Sequence, residues 1–166
     1  MGGDPAPGFI RVNRLVGAFD CGDILNAKTA RSQLIGGITF DVGMVLLEET
    51  HVDAASGRIV NANIAEYLVP VNADIGALDL SFVEENDSVV NPIGVTGIGE
   101  IGITGVAAAI ANAVYTATGA RVRHLPMPPD QVMAGIRGAA LTPRPSRHCP
   151  PPCAKANPPR ATAPTP

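Results

Sequence analysis

The sequence predicts an α+β fold in which a small mixed sheet packs on two main helices. Three observations carry this. A 22-residue apolar-periodic stretch covers residues 28–49. A second helical stretch, rich in alanine, covers 104–118 and is flanked by glycines. Short β-type runs, bounded by Gly, Asp, Asn and Pro, lie before and between them.

The elements follow in order. Residues 9–20 are expected to be extended, because Phe9, Ile10, Val12, Leu15, Val16 and Phe19 supply β-type side chains, and Gly22-Asp23 marks the turn that ends the run. In residues 28–49, Leu34, Ile35, Ile38, Val42, Val45 and Leu46 recur at helical spacing, and Phe40, Met44 and Leu47 place apolar groups on a second face. A helix apolar on both faces is usually buried. Gly36, Gly37 and Gly43 each cost about 1 kcal/mol relative to alanine inside a helix, which predicts a close neighbour against the glycine face. A hairpin is expected around Ala54-Ala55-Ser56-Gly57, with Gly57 at positive φ. Tyr67-Leu68-Val69-Pro70 reads as extended and residues 78–84 as a strand. The Ala-rich helix carries the stripe Val106, Ile110 and Val114 and stops at Gly119, and a last short helix is expected from Pro128-Pro129-Asp130 through Ile136.

Composition narrows the function classes. The chain has 166 residues, enough for one domain, and a formal net charge of −3 with no basic stripe, which argues against nucleic acid as a partner. Aromatic content is 4% with no Trp. The three cysteines, Cys21, Cys149 and Cys153, suggest no disulfide framework and point to a reducing compartment. No signal-peptide pattern opens the chain, and no apolar run reaches the ~18 residues of a membrane span. No membrane partner is expected, and the location is expected to be cytoplasmic. Residues 1–136 read as the compact unit. Residues 137–166 hold most of the prolines and no acidic residue, and are expected to be disordered. The change near Ile136 is consistent with a frameshift, which the DNA in the other frames would test.

Two constellations carry chemistry. Gly94-Val95-Thr96-Gly97-Ile98-Gly99-Glu100-Ile101-Gly102 is a glycine-rich loop leading into a helix. Its glycines let backbone approach a bulky ligand, and Glu100 stands near a helix start, where the dipole favours a carboxylate. Glu100 is therefore either a general base or a capping carboxylate. The literal G-x-G-x-x-G pattern lacks dinucleotide context, since no acid follows until Asp130. Second, Gln33, Gly36, Gly37 and Phe40 share a helix face, where an amide beside bare glycines suits either a flat polar ligand or close helix packing. His148-Cys149-Pro150-Pro151-Pro152-Cys153 lacks a second ligand pair, so no metal-ligating set is expected. Cys21 reads as a small buried hydrophobe, and Glu48-Glu49 as solvated acids.

Taken in order, Gly17-Ala18-Phe19-Asp20-Cys21-Gly22, Asn26-Ala27-Lys28-Thr29-Ala30, Gln33-Leu34-Ile35-Gly36-Gly37, Glu48-Glu49-Thr50-His51, Asn61-Ala62-Asn63, Tyr67-Leu68-Val69-Pro70 and the Gly97–Gly102 loop resemble the xanthine dehydrogenase and aldehyde oxidase family. The likeness is to the C-terminal part of its molybdopterin-binding large subunit, over residues 12–136. It implies a fragment of a larger molybdenum-cofactor-binding domain that hydroxylates an aldehyde or heteroaromatic carbon using water. Glu100 is then the catalytic base, taking a proton from the oxygen nucleophile that attacks the substrate carbon. The resemblance makes Gln33 a pterin contact, places the backbone at Ile98 and Gly99 close to metal or cofactor, and assigns Gly36, Gly37 and Gly97 to the same cofactor-binding surface. The cofactor implied is molybdenum–molybdopterin, with iron–sulfur and FAD groups on partner modules. Partners implied are the remainder of the molybdopterin subunit, iron–sulfur and FAD subunits, and a small-molecule substrate; export with a signal-bearing partner would make the location periplasmic. Thr96 departs from the lysine common in the family's loop. The chain is far shorter than the family's subunit, so a non-catalytic remnant and one half of a split cofactor-binding subunit stand beside the enzyme reading. Either way, Leu34, Ile35, Phe40 and Met44 are expected to lose part of their cover, predicting self-association.

Overall fold

The computed structural model describes residues 8–83, 85 and 89–140. Strand β1 (Arg14–Asp20) and strand β2 (Ala77–Val83) pair in parallel, with Arg14 opposite Ala77 and Asp20 opposite Val83. Helix α1 (Ala27–Leu46) lies between them in sequence, α2 (Val106–Thr118) and α3 (Pro129–Ala140) after them. The expected α+β class holds. The sheet is a parallel pair, and isolated antiparallel bridges join Gly22 with Val95 and Val52 with Ile59. The strands alternate between exposed and half-buried positions, so Leu15 and Phe19 of β1 and Leu78 and Leu80 of β2 face the core. Arg31 of α1 donates to the Leu80 carbonyl at 3.1 Å, tying the helix to the sheet.

Helix α1 starts at Asn26, whose side-chain oxygen accepts from the amides of Lys28 (3.1 Å) and Thr29 (3.2 Å). It ends earlier than the periodicity predicts. The amides of Leu47 and Glu48 both turn back to the Gly43 carbonyl at 2.9 Å, and the Tyr67 hydroxyl donates to Glu48 at 3.0 Å. Glu48 is thus a half-buried acceptor rather than a fully solvated acid. The buried stripe Ile38, Val42 and Val45 meets Val106, Ile110 and Val114 of α2, closed off by Met127 and Val132. Fully burying one such side chain contributes roughly 1.5–3 kcal/mol, so this seam holds the helices together. The second face of α1 is not covered, against the expectation for a helix apolar on both sides: Phe40 is 62% exposed and Met44 40%. Leu34, by contrast, is completely buried.

The hairpin forms as expected, with Gly57 at φ 69° and amide bonds from Asp53 to Arg58 (2.9 Å) and Val60 to His51 (2.8 Å). Asn61, buried behind it, accepts from the His51 amide and donates to the Glu49 carbonyl. The 67–70 stretch forms no strand. Helix α2 begins at Val106, later than expected, because Gly105 takes a left-handed φ of 96°. It stops at Gly119 with φ 80°, as expected. Helix α3 runs past the helix end expected at Ile136. It continues to Ala140, with Asp130 in its first turn and Arg137 in its last, both favourable to the helix dipole. The rest of the expected tail, with His148, Cys149 and Cys153, lies outside the described residues. No helix among the described residues is long and apolar enough to cross a membrane.

Candidate active-site loop

The glycine loop is fixed at both flanks and open between them. On its first flank, Gly22 bridges Val95, the Asp23 amide donates to the Gly94 carbonyl at 2.9 Å, and the Thr96 amide to the Cys21 carbonyl at 3.3 Å. A Cβ on Gly22, at φ 61°, would lie 2.2 Å from the Gly94 carbonyl oxygen, so only glycine permits this approach. Asn91 shapes the entry. Its side chain donates to the Val95 carbonyl at 2.6 Å and accepts from the amides of Ile93 (3.1 Å) and Val95 (3.2 Å). On the second flank the backbone of Gly102 lies on α1. A Cβ there would meet the Leu34 carbonyl oxygen at 2.9 Å, and one on Gly37 would meet Gly102 and Ile103 backbone at 3.2 Å.

Between these anchors residues 97–100 stand outward. Gly97, Gly99 and Glu100 are exposed, and Ile98 is half-buried. A Cβ at Gly97, Gly99 or Gly36 would meet nothing within 4 Å. Exposed Gln33 and Ile98 share a cleft of about 380 Å³ with Cys21, Asn26, Thr29 and Thr96. The structure therefore brings Gln33 and the loop together. Gly37 does not join that open surface, because the Gly102 backbone occupies the space beside it. A larger cleft of about 530 Å³, lined by Val12, Val42, Leu46, His51, Asn61 and Met127 among others, lies toward the other end of α1 and holds none of these residues. Cys21 is buried as expected, and that burial raises its thiol pKa, with Asp20 adding to the shift.

The described residues contain no cluster of three or more His, Cys, Asp or Glu suited to a metal. The polar residue that sequence reasoning missed is Asp41. It sits in the buried stripe with 1% exposure and accepts from the Ala107 amide at 2.8 Å. Burial pushes its carboxyl up from the ordinary value, partly offset by that hydrogen bond. An acid at the 34–38–41–45 spacing was the available signal.

Residues 3–76 match the family model described as a molybdopterin cofactor-binding domain. The chain is 46% identical over 133 residues to the aldehyde oxidoreductase molybdenum-binding subunit PaoC of Escherichia coli K12, covering 80% of this chain and 18% of that protein. It is 38% identical over 132 residues to the xanthine dehydrogenase molybdenum-binding subunit of Escherichia coli O157:H7, covering 80% and 17%. The chain belongs to the xanthine dehydrogenase and aldehyde oxidase family. It corresponds to part of the family's molybdenum-binding subunit and spans under a fifth of the length of these curated relatives. Among solved structures, the aldehyde oxidoreductase from Desulfovibrio gigas superposes with a TM-score of 0.72 at 29% identity, over 81% of this chain and 14% of that one.

A flat, polar pterin needs backbone without obstructing Cβ atoms and an amide to meet its edge. Open space at Gly36, Gly97 and Gly99, beside the exposed Gln33 amide, fits one wall of such a site.

Proposed function

We propose that this chain supplies one wall and the general base of a molybdenum hydroxylase that oxidises an aldehyde or heteroaromatic C–H using water. The observation that carries the reading is the exposed segment 97–100, held at both flanks and set beside the Gln33 cleft. When bound, the molybdenum–molybdopterin group supplies the redox chemistry. Glu100 accepts the proton of the attacking oxygen, a role that needs a carboxylate free to approach the substrate and held on a defined backbone. Gln33 donates and accepts at the pterin edge, while Gly36, Gly97, Ile98 and Gly99 give it clearance. Gly37 serves this surface indirectly, by seating Gly102.

The remainder of the molybdopterin subunit completes the pocket in this reading. Iron–sulfur and FAD groups on partner modules carry the electrons away. The exposed Phe40 and Met44 support a covering partner. Two relatives are named as subunits of multi-component enzymes, a dehydrogenase complex subunit gamma and a nicotine 6-hydroxylase large subunit.

In the assembled enzyme, Glu100→Gln is expected to lower turnover about 10²–10⁴-fold with molybdenum and pterin content unchanged. Turnover retained in that variant overturns the base assignment. Loss of molybdenum would instead make Glu100 a binding residue.

A further inference from the structure

Asp41 stands where an apolar side chain would suit the packing, between Ile38 and Val45 on the stripe that meets α2. Burying a carboxylate is tolerated only when it is hydrogen-bonded. Its Oδ2 accepts from Ala107, and its Oδ1 has no partner among the described residues. The acid's contribution is therefore that one bond.

The bond has a particular address. Ala107 is the second residue of α2, and first-turn amides have no intrahelical acceptor. Gly105, at the cap position, has no side chain to offer and makes no capping bond. The cap arrives instead from a residue 66 positions earlier in sequence, on another helix. The segment from Gly102 to Ala107 thus touches α1 twice. Gly102 lies on Leu34 and Gly37, and Ala107 bonds to Asp41. The Ile103 amide donates back to the Glu100 carbonyl at 3.1 Å, so the backbone of Glu100 is coupled directly to the stretch between the two anchors.

We propose that Asp41 is a positioning residue for the Glu100 loop, capping α2 from α1 and so setting the path by which the loop leaves the helix surface. Its functional meaning rests on Glu100 being the base, but the anchoring itself is measurable without turnover. A failure here is therefore distinct from a failure of the Glu100→Gln test.

Amide hydrogen exchange on the full chain tests it. Asp41→Leu fills the stripe without an acceptor. The amides of Ala107 and Ile103, which donate to Asp41 and to the Glu100 carbonyl, should then exchange about tenfold faster or more, while Val60, bonded to His51 in the hairpin, stays unchanged. Asp41→Asn keeps an oxygen acceptor and should restore protection to within about threefold of the original. Equal acceleration in loop and hairpin, or none in either, overturns the proposal, as does a failure of Asn to rescue. Should Asp41→Leu not fold, the unaltered chain decides. Its Ala107 amide should be protected like the mid-helix amides of Ile110 and Val114, and exchange at the rate of an open helix end overturns the proposal.

Discussion

Two faces of α1, one residue apart, treat their surroundings in opposite ways. At Leu34, Gly37 and Asp41 the helix is closed, with the backbone of Gly102 pressed against it and Ala107 bonded to it. At Gln33, Gly36 and Phe40 it is open: a Cβ on Gly36 would touch nothing within 4 Å, and Phe40 is 62% exposed. Gly36 and Gly37 are neighbours, yet a turn of about 100° per residue puts them on different faces. In one place glycine permits close contact between backbones, and in the other it leaves clearance. The closed face carries the loop's second anchor, and the open face is where a ligand has room.

The largest expected effect breaks the closed face. Gly102→Ala should cost about 1–3 kcal/mol in urea unfolding, because its Cβ meets backbone at Leu34 rather than a movable side chain. Gly37→Ala should cost less, since the helix-propensity gain of about 1 kcal/mol offsets part of the crowding. No loss in either variant would mean that the loop does not rest on α1.

Asp41 sharpens the same face through pH. Burial raises its folded-state pKa above the ordinary 3.8, so the folded chain keeps a proton that the unfolded chain gives up first. Stability from the protonated form is full below about pH 3.8 and declines as pH rises through the raised value. Asp41→Asn does not titrate. Its stability relative to the unaltered chain should grow in the variant's favour across that window and stay flat below it. A parallel pair of profiles would show that Asp41 is not desolvated.

The open face should respond with the opposite sign. Gly36→Ala is expected to stabilise the chain by about 0.5–1 kcal/mol. In the assembled enzyme it should reduce bound molybdenum if this face meets the pterin. Destabilisation of the chain alone would show that the face is covered in solution. The smallest effect is at Phe40. Phe40→Gln should change stability by no more than about 0.5 kcal/mol while lowering self-association in sedimentation velocity. A larger loss would place Phe40 in a packed interface.

Local features were legible in the sequence. The stripe Val106, Ile110 and Val114, the stop at Gly119 and the turn at Gly57 follow from periodicity and from positions where φ must be positive. The ordered motifs from Gly17 to Gly102 identified the family and singled out Glu100 and Gln33. Less legible was anything set by partners far along the chain. The early end of α1 coincides with Glu48 accepting from Tyr67, and the late start of α2 with Gly105 turning left-handed. Asn91 gave no signal beyond a turn-forming residue before Pro92, yet its side chain makes three bonds to the loop entry.

By itself, then, the sequence determined which stretches are helical, where they turn, and which residues are candidates for a base and a polar ligand contact. These follow from backbone preference and from spacing along one element. The tertiary structure alone decided which glycine is closed and which is open, and that an acid in the middle of α1 caps a helix 66 residues away. Both depend on what lies across a gap of a few ångströms, and no local pattern records the identity of that neighbour.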